Sequence, residues 1–304
     1  MNNFEKIINI IGVPSDFGAN TNGALMGPDA IRTAGLNQRL KEIGVIAQDW
    51  GNIPVPIKYA VKDEHSKASY LPIVRQINHE LKKLIVFALE KGSIPLCLGG
   101  DHSISIGSLA GVIEHHKNKN IGLIWIDTHA DLNTPESSKT KNIHGMPVSV
   151  LFGKGYPELT ELMNHQDTIK EENVAIIGLR DIDAMEKEFL KDSNMNYYTM
   201  RDIDERGIQT IMKEVQTKII DKVDGIHVSF DLDVMDPLQV PGVSTPVPGG
   251  LSLREAHLIL EMIHESSNVI SADFVELNPF NDEKGSSAKM AVELIASLFG
   301  KKII

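Results

Sequence analysis

The chain has 304 residues, 42% hydrophobic and 23% charged, with 30 basic against 41 acidic side chains and a net charge of −11. That balance is ordinary for a globular protein; it offers no basic footprint for nucleic acid and only a weak bias toward cationic small molecules. Its one cysteine, Cys97, excludes an intrachain disulfide and fits a reducing compartment.

The chain opens on a polar, mixed-charge stretch, Met1 to Lys6. The apolar Ile7 to Val13 that follows has neither the basic flank nor the small-residue cleavage site of a secretory signal, so it reads as a first strand. Helical periodicity covers 28–42, a strand 43–49, a surface loop 54–69 and a helix 71–91. The apolar stretch inside that helix, Leu84 to Leu89, is far short of the ~20 residues that cross a bilayer, which predicts no membrane partner and a cytoplasmic location. A strand at 94–98 contains Cys97, read as a small core residue, and a helix follows at 102–117. Then come strands at 121–127, 174–179 and 195–199, a helix at 201–220, a strand at 225–231, a helix at 251–266, a strand at 269–276 and a helix at 286–299. Gly44, Gly92 and Gly300 stand at C-terminal cap positions, and Ser252 with Arg254-Glu255 opens a helix.

Strands that are apolar throughout and alternate with helices predict parallel βαβ units buried on both faces. The expected fold is α/β: one three-layer αβα sandwich over residues 1–304, with a central, mostly parallel sheet of about eight strands. Loops 132–142 and 238–250 leave the carboxyl ends of two of these strands, where open α/β sheets bind their ligands.

The ionisable residues cluster at strand ends. Asp127, His129 and Asp131 follow the run Ile121–Ile126; Asp231 and Asp233 follow Ile226–Phe230. A strand sends residues i, i+2 and i+4 to one face, so each cluster is expected to aim its side chains one way. A third cluster, Gly99-Gly100-Asp101-His102-Ser103, turns at the end of 94–98. An isolated Asp-X-Asp is most often a turn or capping feature. Three such signals at three strand ends predict a shared cation site, because the uncompensated groups would repel one another and lose hydration. The oxygen-rich, thiolate-free set favours manganese or a similar octahedral ion over structural zinc. Two ions sharing carboxylates would lie ~3.5–4 Å apart and ionise a common water. Four aspartates and a hydroxide outweigh two divalent ions, so the loaded centre is net negative and suits a cationic electrophile. Glu276, at the end of 269–276, adds to that charge, and a guanidinium matches it.

Gly99–Ser103, Asp127-Thr128-His129-Ala130-Asp131 and Ser229-Phe230-Asp231-Leu232-Asp233 together resemble the metal signatures of the ureohydrolases, and the resemblance runs from Gly12 to Glu276-Leu277-Asn278-Pro279. Asn133-Thr134-Pro135, Thr140 to Pro147, and Gly242 to Pro246 with Gly249-Gly250 look most like the arginase branch of that family. The resemblance implies two Mn2+ per subunit, with Co2+ or Ni2+ as substitutes. His102, Asp127, Asp131 and Asp231 would hold one; Asp127, His129, Asp231 and Asp233 the other. It implies hydrolysis of L-arginine to L-ornithine and urea by a metal-bridging hydroxide oriented by Asp131. Glu276 would hold the guanidinium and His144 would relay a proton. Asn133, Thr140 and Asn142 would read the α-carboxylate, Asp183 with Glu186 the α-amino group, and Thr245 would also contact substrate. Asp181 remains an alternative to Asp183, and Asn133 and Asn142 an alternative pair of turn residues. A trimeric or hexameric homo-oligomer is implied too, without the contact that a longer C-terminal tail makes in some arginases.

Departures fall at Thr128, Thr140, Val234-Met235 and Ser244; none removes a ligand. The remaining histidines (His65, His79, His115, His116, His165, His227, His257 and His264) read as surface or packing residues. Agmatinase, guanidinobutyrase and formimidoylglutamase would share the metal centre, and a metal-binding protein without turnover is the reading from another class.

Overall fold

The computed structural model describes residues 7–61, 68, 70–164 and 168–302. His65 and His165, and residues 62–67 and 69 of the expected surface loop, lie outside the described residues. Among the described residues, eight strands form one sheet: β1 (Ile8–Val13), β2 (Ala47–Asn52), β3 (Ile94–Gly99), β4 (Ile121–Ile126), β5 (Val174–Leu179), β6 (Asn196–Thr199), β7 (Gly225–Asp231) and β8 (Val269–Val275). Their order is β2-β1-β3-β8-β7-β4-β5-β6, and every pairing is parallel. The sheet, expected to be mostly parallel, is wholly so.

Helices cover both faces, giving the three layers. On one side α1 (Gly27–Thr33), α2 (Leu36–Glu42), α8 (Met200–Arg206), α9 (Ile208–Lys218), α10 (Leu253–Glu265) and α11 (Ser286–Leu298) pack on Ile10, Leu96, Ile126 and Phe274. On the other, α3 (Leu71–Glu90), α4 (Ser105–His115), α5 (Pro147–Leu151), α6 (Pro157–Thr160) and α7 (Ala184–Asp192) pack on Ile11, Cys97, Trp125 and Ile176. Alternate residues of β1, β3, β4 and β5 feed the two cores, which is why these strands read as mostly apolar runs. Cys97 is buried in the second core, as expected.

Three boundaries differ from the sequence reading. The strand expected at 43–49 lies at β2, because Ile43 and Val45 pack under the sheet edge rather than pairing in it. The helix expected at 28–42 breaks at Gly35 and the one at 201–220 breaks at Gly207, whose φ values of 102° and 76° no helix accommodates. The short helices α5, α6 and α7 went unread, since their few apolar residues carry little periodicity.

The topology positions the site. β7 and β8, late in the chain, fill the centre of the sheet between β3 and β4. The carboxyl ends of β3, β8, β7 and β4 are therefore neighbours, although β3 and β8 lie far apart in the chain.

 In sequence β3 and β8 begin at Ile94 and Val269, so it is the return of the chain to the middle of the sheet that puts them side by side.

Candidate active site

At the end of β3 the chain turns sharply through Gly99-Gly100-Asp101. A Cβ on Gly100 would sit 1.7 Å from the Ser15 carbonyl oxygen, so only glycine lets these two segments meet. Asp101 accepts the Ser103 N–H and opens the 3-10 turn His102–Ile104. His102 is buried and stacks on Trp125, with ring centroids 4.0 Å apart.

The acidic groups reach His102 from β4 and β7. Its Nδ1 lies 3.2 Å from Asp127 Oδ2, 3.2 Å from Asp131 Oδ2 and 3.0 Å from Asp231 Oδ2. His129 Nδ1 lies 3.2 Å from Asp233 Oδ2 and 3.5 Å from Asp127 Oδ1. Two sets of donor atoms are each mutually within 4.8 Å: His102, Asp127 and Asp131, and Asp127, His129 and Asp233.

The convergence does not come from strand alternation, and that expectation is corrected. β4 ends at Ile126, and Asp127 to Asp131 run through bends to an Asp131 with φ 51°. Asp231 closes β7, and Asp233 sits in the 3-10 turn Leu232–Val234. Carboxylates shape both turns: Asp127 Oδ1 accepts the His129 N–H at 2.7 Å, and Asp231 Oδ1 accepts the Asp233 N–H at 2.7 Å. A left-handed aspartate costs ~1–3 kcal/mol and persists where its surroundings hold it.

These residues fit divalent cations. His102 Nδ1, Asp131 Oδ2 and Asp233 Oδ1 are buried and have no hydrogen-bond partner. Burial, then the charge of Asp127, pushes Asp131 up to about 6, and burial with Asp233 raises Asp231 as well. Burial opposes a charge on His102, yet the surrounding aspartates hold its pKa well above the ordinary value. Positive ions among these oxygens would offset their mutual repulsion and satisfy the unpartnered atoms.

A cleft of about 350 Å³ opens above this cluster. Of the fourteen residues singled out from sequence, all but Asp127, which is buried beneath, line it. Glu276 follows β8 with φ 64°. Its Oε1 accepts the His102 N–H at 2.8 Å and lies 3.0 Å from His144 Nδ1, while its Oε2 is buried without a partner. Burial opposes protonation of His144, but the Glu276 carboxylate lifts it to about 9.

Toward the mouth, Asn133 Nδ2 donates to Asp183 Oδ2 at 3.2 Å, and Thr140 Oγ1 accepts the Asn142 N–H at 3.3 Å. Glu186 receives the Asp183 and Leu132 N–H groups on its two oxygens, and burial raises it to about 7. Thr245 Oγ1 donates to Asp233 Oδ2 at 2.8 Å. Asp181 and Asp183 both line the cleft, so the choice between them stays open. Sequence reasoning missed Ser138 and Lys139, which also line it. Their place in loop 132–142, already assigned to the site, was the available signal. It also gave no role to Arg180. The Arg180 guanidinium donates to the carbonyls of Asp233, Val234 and Val247 at 2.7–3.2 Å, tying together the turn that carries Asp233.

An arginase family model matches residues 6–300. The chain is 44% identical to an arginase of Bacillus subtilis (strain 168) over 300 residues, covering 99% of this chain and 100% of that one. Among solved structures it resembles the arginase of Bacillus caldovelox, at 42% identity and a TM-score of 0.94 over 98% of this chain and 100% of the other. It also resembles an Entamoeba histolytica arginase solved with L-ornithine, at 32% identity and a TM-score of 0.90 over 97% and 99%.

Proposed function

The chain belongs to the arginase family, and we propose that it hydrolyses L-arginine to L-ornithine and urea in a single domain spanning residues 1–304. The observation that carries this reading is the pairing of the two aspartate–histidine sets with a buried, half-satisfied Glu276 at the floor of one cleft.

His102, Asp127, Asp131 and Asp231 would hold one divalent cation, and Asp127, His129, Asp231 and Asp233 a second; the oxygen-rich set favours manganese. Bound there, the pair supplies an ionised water at neutral pH. Glu276 fixes the planar guanidinium through the open Oε2, which orients its central carbon over the cluster. Asp131 would orient the attacking water through the carboxylate oxygen that the cation leaves free. His144 carries a proton at neutral pH and hands it to the departing ornithine nitrogen from Nε2, the ring nitrogen not bonded to Glu276. Arrival of the guanidinium competes with His144 for Glu276, which loosens that proton when it is needed. Asn133, Thr140 and Asn142 take the α-carboxylate, and Asp183 the α-ammonium. Glu186, with both oxygens on backbone N–H groups, braces Asp183 rather than reaching out itself.

A cytoplasmic homo-oligomer, trimeric or hexameric, belongs to the same reading. Among the described residues no helix is long and apolar enough to cross a membrane. The test is urea release after manganese activation with L-arginine, agmatine, 4-guanidinobutyrate and N-formimidoylglutamate side by side. Arginine should lead agmatine by several orders of magnitude, because a site that pairs a carboxylate is left unsatisfied without one. Equal rates on the two would overturn the substrate assignment, and no turnover with any of them the enzymatic one.

A further inference from the structure

A buried polar series runs away from the cluster beneath α4. His102 Nε2 lies 2.9 Å from Ser229 Oγ, Ser229 Oγ lies 3.3 Å from Ser105 Oγ, and Ser105 Oγ donates to Asp273 Oδ2 at 2.9 Å. Ser108 Oγ and His227 Nε2 meet the same carboxylate oxygen at 2.6 and 3.2 Å. All six side chains are buried. Asp273 touches no substrate-facing residue and lies outside the cleft lining.

The order of donors along this series is forced. An ionised carboxylate only accepts, and each serine has one proton. Ser105 spends its proton on Asp273, so it can only accept from Ser229. Ser229 has then used its own proton and can only accept from His102. His102 must therefore carry hydrogen on Nε2, which leaves the Nδ1 lone pair directed at the three aspartates. A histidine ligand needs its other nitrogen fixed in this way. Here the fixing group is a carboxylate two hydroxyls distant.

We propose that Asp273 is a positioning residue that sets the tautomer of His102 through Ser105 and Ser229, and so selects for the cation that His102 would hold. The inference rests on the metal reading above. In Asp273→Asn the amide can donate to Ser105, the series can reverse, and hydrogen can settle on Nδ1. The effect should be confined to one of the two ions, because His129 has no link to this series. His227, read from sequence as a packing residue, serves as a further donor that helps keep Asp273 charged.

The test is equilibrium dialysis of the full chain against graded free manganese, with bound metal counted and its electron paramagnetic resonance recorded. The native chain should bind two ions per subunit with a spin-coupled signal. Asp273→Asn should keep one ion at native affinity and bind the other ~10–100-fold more weakly, with an uncoupled six-line signal between the two binding ranges. Ser105→Ala, which cuts the series without touching His102, should do the same. Ser108→Ala removes a hydrogen bond to Asp273 that is off the series, and should lower the melting temperature while leaving both affinities unchanged. Native affinity for both ions in Asp273→Asn and Ser105→Ala would overturn the proposal, as would equal weakening of both ions or an unfolded Ser105→Ala chain. A native chain that binds no manganese would instead sink the metal reading on which the proposal stands.

Discussion

Glu276 accepts two contacts at Oε1 and none at Oε2, and that asymmetry is what leaves it ready for a cation. Glu276→Gln keeps the shape and loses the charge, so kcat/KM for arginine should fall roughly 10–100-fold, the worth of a charge-assisted bond. An unchanged value would remove Glu276 from the site. His144→Ala should cost more in turnover than in binding, with kcat lower by about 10²–10⁴ and KM within a few-fold. If KM alone moved, His144 would be a binding residue. His116, half-buried at the end of α4, offers a test away from the chemistry. Burial, then the charges of His115 and Lys119, lowers its pKa from 6.5 to about 4. As pH falls through that window the unfolded chain takes the proton first, so stability is lost between pH 6.5 and 4. His116→Asn should flatten the decline of melting temperature over this range, and calorimetry showing identical slopes would contradict it. The ligand residues themselves were legible, because aspartate and histidine spaced by two after an apolar run are chemically conspicuous. Arg180 and Asp273 were not, since each acts through backbone or hydroxyl partners that no local spacing announces.

Elements differ in how far their sequence prescribes them. β3, β4 and β5 are apolar on both faces, and their positions followed from composition alone. β2 is half-exposed at the sheet edge, and its apolar neighbours pull the pattern four residues early. The turns are where chemistry and fold meet. Gly100→Ala would drive a methyl into the Ser15 carbonyl, a backbone clash that no rotamer relieves. It should cost at least about 3 kcal/mol, the upper end for overpacking, and weaken metal uptake by shifting His102. A native melting temperature in that variant would refute the steric argument. Gly207→Ala meets no atom within 4 Å and strains only its φ of 76°, so a loss of ~1 kcal/mol is expected.

For the whole molecule the decisive feature is the insertion of β7 and β8 between β3 and β4, which makes one cleft from four strand ends. The cations would then act as cross-links between distant segments. Removing manganese by chelation should lower stability by about 4 kcal/mol per site when free metal had stood 1,000-fold above Kd, and readdition should restore it. A melting temperature indifferent to chelator would argue that the cluster holds no ion. The sequence by itself determined the parallel α/β class, the strands that carry the site and the residue types that would bind cations, because burial and donor chemistry are written locally. Only the tertiary structure decided strand order, the left-handed turns that aim Asp131 and Glu276, and the buried series behind His102. Those depend on contacts between residues far apart in the chain, and a contact of that kind leaves no periodicity to read.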